Sequence, residues 1–255
     1  MRGRVRAAAN LATLANAVLG VGAILYILAG NKLWAMALIM AGIAFDGLDG
    51  ILSRRAGGPP SRFGRYADSV ADAITFGVAP ATLIAIHSDR PVLWTAYAPA
   101  TVLIAALLVA LAFARLTYFT IRAYDLPYFL GAPTPQTALG VVVLILFCDV
   151  PAFVGTNPVF VLVGAGIAAL LMVVPIPFPK MRTQRVLRYV TLLTSLGLAA
   201  SLVLLQFRPA VGSVSYGVAF VGAAVGAAGV VAYYLVGPFV VHRTPPAAEV
   251  AHAET

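Results

Sequence analysis

Eight apolar runs recur along these 255 residues, at roughly 10–29, 33–53, 68–88, 92–118, 134–149, 158–175, 188–206 and 213–240. About 20 apolar residues in a helix cross the hydrocarbon of a bilayer, and a helix satisfies its own peptide groups where no water can. Glycine and proline punctuate the runs, as at Gly57-Gly58-Pro59-Pro60 and Pro175-Ile176-Pro177-Phe178-Pro179, and the connections are too short to hold a soluble domain. A chain that is 61% hydrophobic and only 10% charged carries far more apolar sequence than a soluble core uses. The expected fold is therefore all-α, a polytopic membrane helix bundle of about eight transmembrane helices. Residues 1–240 form the membrane domain, and 241–255 read as a disordered cytoplasmic tail. The first run is long enough to be mistaken for a secretory signal, but no small-residue cleavage site follows it, and it is read as a span.

The basic residues test the span count. With eight spans, Arg2, Arg4, Arg6, Arg54, Arg55, Arg62, Arg65, Arg115, Arg122, Lys180, Arg182, Arg185, Arg188 and Arg243 all fall on one side, 14 of the 17 lysines and arginines. Lys32, Arg90 and Arg208 fall on the other. Cations accumulate on the cytoplasmic side, so the split predicts an N-in, C-in topology. The formal charge of +8 then reflects topology and contact with anionic membrane lipids, and no nucleic-acid partner is expected. Arg2, Arg4 and Arg6 read as an interfacial segment, and Lys180 to Arg188 as an anchor on the lipid surface.

Cys148 is the single cysteine and lies in an apolar run, which excludes an intrachain disulfide and a cysteine-based metal site. His87, His242 and His252 share no motif; His87 is expected to cap the outer end of the third span.

Carboxylates carry the functional signal. Four of the nine, Asp46, Asp49, Asp68 and Asp72, fall within 27 residues flanked by apolar sequence. A carboxylate at the centre of a spanning helix costs about 2.5 to 3.5 kcal/mol, so a group of them calls for a compensating cation or a watery cavity. Asp46 and Asp49 are spaced i,i+3, with Gly50 and Ser53 near the same face. Gly64, Asp68 and Asp72 step i,i+4 along the next helix. The second helix descends to the cytoplasm with Asp46 about 7 residues, roughly 10 Å, from its end, and the third begins there with Asp68. The two pairs can thus converge just below the headgroups. Carboxylates without histidine or cysteine form a hard oxygen site suited to Mg²⁺ or Mn²⁺, and two such ions can clamp a diphosphate. Gly50 and Gly64 allow a nucleotide or phosphate to approach the backbone, and Arg54 offers a guanidinium to a phosphate oxygen.

The stretch from Asp46 to Asp72 resembles the CDP-alcohol phosphatidyltransferases, whose pattern is Asp-x-x-Asp-Gly-x-x-Ala-Arg, a gap, then Gly-x-x-x-Asp-x-x-x-Asp. Ser53 stands where that pattern has alanine. The resemblance implies that CDP-diacylglycerol binds with its diphosphate on two divalent ions, that an alcohol attacks the phosphorus bearing the diacylglycerol, and that CMP leaves. It implies Asp46, Asp49, Asp68 and Asp72 as metal ligands, and Gly50, Ser53, Arg54 and Gly64 around the CDP-diacylglycerol. It makes Asp72 the general base as well.

Longer segments resemble the type II phosphatidylserine synthases: Asn10 to Asn16, Ala44 to Gly50, Asp68 to Pro80, Tyr128 to Pro135, and Met172 to Phe178. That likeness ends near residue 180 and implies L-serine as the acceptor, in phospholipid biosynthesis at a prokaryotic plasma membrane. Where those synthases show Leu-Arg-Leu-Ala-Arg-Phe-Asn, this chain has Leu111-Ala112-Phe113-Ala114-Arg115-Leu116-Thr117, keeping one arginine. Arg115 is either the partner of the acceptor carboxylate or a snorkelling residue at the inner end of the fourth span. Gly222 and Gly226 mark a packing face, within one protomer or in a homodimer. Two alternatives stay open. One is the same chemistry with glycerol 3-phosphate or an inositol phosphate as acceptor, which needs a dense basic pocket. The other is a cation-coupled transporter, which ordinarily shows repeated halves and broken polar helices.

Overall fold

A computed structural model describes residues 2–56, 62–86, 91–123, 128–149, 158–179, 185–206 and 213–242. His87, Lys180, Arg182, Arg243 and the tail lie outside these residues, as do the side chains of Arg54, Arg122, Cys148, Arg185 and Arg188. Helix α1, Arg2–Leu28, is followed by α2, Lys32–Ala56. Helix α3, Arg62–Asp72, runs through a π-helical segment, Ala73–Val78, into α4, Ala79–Ile86, as one rod. Helix α5, Pro91–Tyr118, ends in a second π turn, Phe119–Ala123. Then come strand β1, Tyr128–Leu130, helices α6, Thr134–Asp149, and α7, Pro158–Leu171, and strand β2, Pro177–Pro179. Helices α8, Arg185–Gln206, and α9, Ser213–His242, complete the described chain.

Among the described residues the eight expected runs correspond to eight helical rods with one short β pair, and the molecule is an all-α membrane bundle. Val5–Leu28, Lys32–Ser53, Phe63–Ile86 and Tyr97–Ile121 are long and apolar enough to cross a bilayer; Thr134–Leu146, Val159–Leu171, Thr191–Leu204 and Ala224–Phe239 are shorter apolar stretches. The faces of α1 show how sequence assigns lipid and core. Leu11, Leu14, Val18, Val21, Leu25 and Leu28 are exposed, whereas Ala9, Ala12, Asn16, Ala23 and Ile27 are buried. Lipid tails are as apolar as leucine, so large side chains face outward and small ones let helices approach. Helix α1 closes on Gly30 at φ +78°, with Gly30 N–H donating to Ile27 O and Asn31 N–H to Tyr26 O. This left-handed cap turns the chain directly into α2.

Several run ends differ from expectation: the first rod starts at Arg2, earlier than residue 10, and the fourth continues through its π turn to Ala123, beyond 118. The third rod starts at Arg62, earlier than residue 68, because its amphipathic first turns are helical although too polar to read as a span; Phe63 and Tyr66 there are exposed, as aromatic residues at a membrane interface are. The sixth run stops at Leu171, earlier than 175. Beyond it Pro175, Pro177 and Pro179 cannot continue a helix, and the chain pairs with β1 instead, Phe129 opposite Phe178. Gly131, at φ +76°, donates its N–H to Ile176 O and Ala132 donates to Leu171 O, so the start of α6 is tied to the end of α7.

The π segment sits where three helices cross. Thr75 wedges between α1 and α2 opposite two glycines: a Cβ on Gly20 would overlap Thr75, and one on Gly42 would lie 2.5 Å from Thr75 Cγ2. π-helical turns inside α-helices often mark functional sites, and this one begins immediately after Asp72. Gly222 and Gly226 pack inside the chain, facing Ser201 and Leu198 of α8 and Val143 of α6.

Candidate active site

Asp46 and Asp49 lie one turn apart on α2, and Asp68 and Asp72 one turn apart on α3. Carboxylate oxygens of Asp46, Asp68 and Asp72 all fall within 4.8 Å of one another. Asp49 is buried beside this triad, with Asp46 and Asp68 as its charged neighbours, and accepts a hydrogen bond from Thr13 Oγ1 at 2.8 Å. Asp72 is buried and accepts from Asn16 Nδ2 at 3.0 Å. Asp68 Oδ1 is buried with no hydrogen-bond partner. Three carboxylates this close repel one another, and a buried acceptor left unpaired costs about 1 to 3 kcal/mol; a cation relieves both. The donor set is all oxygen, which fits a hard divalent ion.

The carboxylates line a cavity of about 260 Å³, together with Gly50 from α2, Arg65 and Ser69 from α3, Arg115, Phe119 and Thr120 from α5 and its π turn, Phe129 from β1, Thr134 from α6 and Thr191 from α8. Ser69 and Thr120 share a hydrogen bond across the α3–α5 side. Gly64 and Ser53 are half-buried and do not line this cavity.

Arg115 is 6% exposed, which removes the snorkelling alternative. Its Nη1 donates to Thr134 Oγ1 at 3.4 Å, and its guanidinium lies 5.4 Å from the Phe129 ring centroid and 5.9 Å from that of Phe119. The ring faces favour a cation there. Its Nε is buried and unpartnered, so a buried guanidinium keeps a free donor beside the cavity. Thr191 is held by Gln136 Nε2 at 3.3 Å.

Sequence reasoning assigned no role to Thr13, Asn16, Arg65, Phe119, Phe129, Thr134 or Thr191. Thr13 and Asn16 did carry a signal, since they follow Asn10 at i,i+3 steps in the segment Asn10 to Asn16 that resembles the synthases. Phe119 and Thr191 carry none, because they reach the cavity from elements far apart in the chain, and Phe129 and Thr134 lie in the Tyr128 to Pro135 segment, whose resemblance named no place in a cavity.

Residues 6–178 match the family model for CDP-alcohol phosphatidyltransferase, a span that includes every carboxylate of the cavity and Arg115. Among similar proteins, a CDP-diacylglycerol–serine O-phosphatidyltransferase of Mycobacterium leprae is 34% identical over 198 residues, covering 72% of this chain and 64% of the relative. One of the same name from Mycobacterium tuberculosis is 37% identical over 132 residues, 49% of this chain and 44% of the relative. Another of that name from Bacillus subtilis is 32% identical over 177 residues, 67% of this chain and 88% of the relative. The matches thus span less than two thirds of the length of the mycobacterial relatives. A family match over most of the chain agrees with the carboxylates grouped on α2 and α3: this protein belongs to the CDP-alcohol phosphatidyltransferase family.

Proposed function

We propose that this protein transfers the phosphatidyl group of CDP-diacylglycerol to L-serine and releases CMP. The observation that carries the reading is that a buried arginine with a free donor, Arg115, lines the same small cavity as the Asp46, Asp68 and Asp72 triad. Asp46, Asp68 and Asp72, with Asp49 beside them, would hold Mg²⁺ or Mn²⁺, two ions on the family pattern. Such ions, when bound, neutralise the diphosphate and the charge that develops on the transferred phosphoryl group.

The chain's own residues do the rest. Gly50, on the cavity wall, leaves backbone within reach of the nucleotide; Ser53, Arg54 and Gly64, which the family resemblance puts around the CDP-diacylglycerol, are assigned to the parts of that ligand beyond this cavity. Arg115 holds the serine carboxylate through its planar fork, braced by Thr134. The serine hydroxyl oxygen forms a bond to the phosphorus that carries the diacylglycerol, the bond from that phosphorus to the CMP oxygen breaks, and Asp72 takes the hydroxyl proton. Asp72 is a weak base toward an alcohol, so position contributes much of the activation.

An acceptor bearing a phosphate would call for more cationic side chains than the two, Arg65 and Arg115, that line the cavity among the described residues. We place the cavity on the cytoplasmic side, from the distribution of basic residues and the need for a water-soluble acceptor to enter. The test is purified protein with CDP-diacylglycerol, Mn²⁺ or Mg²⁺ and a panel of labelled alcohols, with CMP release as readout. CMP release dependent on serine supports the reading; release with glycerol 3-phosphate or an inositol phosphate and none with serine overturns it.

A further inference from the structure

Helix α1 contributes none of the four carboxylates, yet two of its side chains bond to them. Thr13 Oγ1 donates to Asp49 Oδ2 at 2.8 Å, and Asn16 Nδ2 donates to Asp72 Oδ1 at 3.0 Å. Residues 13 and 16 lie on one face of the helix, so a single element reaches one carboxylate of α2 and one of α3. We propose that Thr13 and Asn16 are positioning residues, a pair of neutral donors on α1 that set the orientation of Asp49 and Asp72 for cation binding. The inference rests on the metal-dependent reading above and extends it to a helix outside the aspartate motif.

Chemistry explains why these residue types suit the task. A lysine or arginine at either place would fix a carboxylate but cancel the negative charge that attracts a divalent ion. A hydroxyl or amide N–H occupies one oxygen lone pair and leaves the charge in place. Partners of this kind, one layer outside the ligands, ordinarily govern metal affinity by 10- to 100-fold.

The surroundings hold Asn16 firmly. Thr75 Oγ1 donates to the main-chain carbonyl of Asn16 at 2.8 Å, so the rod that carries Asp72 grips Asn16 at both its backbone and its amide. The π segment brings Thr75 to this spot three residues after Asp72. Gly42 leaves the room: a Cβ there would sit 3.0 Å from Asn16 Oδ1 and closer still to Thr75. Asn16 Oδ1 is buried without a hydrogen-bond partner, a cost accepted at a position where its Nδ2 bonds to Asp72.

Thr13→Val keeps the shape and removes the hydroxyl, while Thr13→Ser keeps the donor. Asn16→Ala removes the amide. Each variant, purified in detergent, is titrated with Mn²⁺ alone, following free Mn²⁺ by electron paramagnetic resonance, and its thermal midpoint is recorded. Thr13→Val and Asn16→Ala are expected to weaken Mn²⁺ binding about 10- to 100-fold, with Thr13→Ser within about threefold of the parent protein. If the parent binds Mn²⁺ and folded Thr13→Val binds it equally well, the positioning role is overturned and the metal reading survives. If the parent itself binds no Mn²⁺, both fall. Should Asn16→Ala fail to fold, the Thr13 pair of variants decides the question, since it changes one hydroxyl at a half-buried site.

Discussion

Arg115 and Thr134 meet through a hydrogen bond of 3.4 Å that joins the cytoplasm-proximal end of α5, in the proposed orientation, to the first residue of α6. Thr134 follows Pro133, and the adjoining Gly131 and Ala132 are bonded to Ile176 and Leu171. The arginine is therefore braced by a segment that is itself fastened to the end of α7. This gives the segments Tyr128 to Pro135 and Met172 to Phe178 a shared purpose: together they build the wall behind Arg115, with Phe129 under its guanidinium.

Replacing the guanidinium tests that wall directly. Arg115→Lys is predicted to raise the KM for serine while CDP-diacylglycerol binding is kept, because a point charge replaces the planar fork. Arg115→Ala should cost more, about 2 to 5 kcal/mol in kcat/KM for serine if the pair is desolvated. Wild-type serine kinetics in both variants would leave Arg115 a packing residue.

The carboxylate cluster is predicted to be needed for CMP release. Asp68→Asn and Asp49→Asn should abolish it while the protein stays folded in the membrane, since removing one of several mutually repelling charges does not threaten the bundle. Chelator should silence the parent protein in the same assay. Full activity in chelator, or in both variants, would exclude a metal-dependent site.

Topology yields a prediction from charge alone. A reporter fused after Thr255 should report from the cytoplasm and one inserted near Asp89 from outside. The opposite pattern would refute the N-in orientation and the route by which serine is proposed to enter.

Spans and carboxylates were legible because each leaves a local mark. A run such as Val159 to Leu171, with no charged residue and seven similar runs around it, reads only as membrane sequence. The i,i+3 and i,i+4 spacings fixed which aspartates share a face. The cavity's other walls leave no such mark. Phe129 lies against Arg115 beside a left-handed turn at Gly131 packed on Met172, and Asn16 bonds to Asp72 where Thr75 of the π segment donates to its carbonyl. Both are consequences of packing between helices, which periodicity does not encode.

Gly131→Ala is predicted to loosen that wall. A left-handed backbone costs a residue with a Cβ about 1 to 2 kcal/mol, and here the Cβ would also overlap the carbonyl oxygen of Met172. The thermal midpoint in detergent should fall, and serine KM should rise as Phe129 and Thr134 shift. An unchanged midpoint would mean that the β1–β2 junction relaxes freely.

Gly42→Ala separates packing at the α1–α2–π crossing from the general effect of removing a glycine. In an open helical position, glycine to alanine stabilises by about 0.5 to 1 kcal/mol, and Gly229, which would meet nothing within 4 Å, supplies that control. At Gly42 the new Cβ would lie 2.5 Å from Thr75 Cγ2 and 3.0 Å from Asn16 Oδ1, and overpacking a tight interior costs about 1 to 3 kcal/mol, more than the helix gains. The thermal midpoint should therefore fall for Gly42→Ala and hold or rise for Gly229→Ala. Because the displaced atoms belong to Asn16 itself and to Thr75, whose hydroxyl bonds to the Asn16 carbonyl, the Gly42 variant should also need more Mn²⁺ for half-maximal CMP release, and Gly229→Ala should not. A Gly42→Ala protein with the parent's midpoint and metal requirement would show that the crossing has slack, and that the Asn16 amide is not held by it.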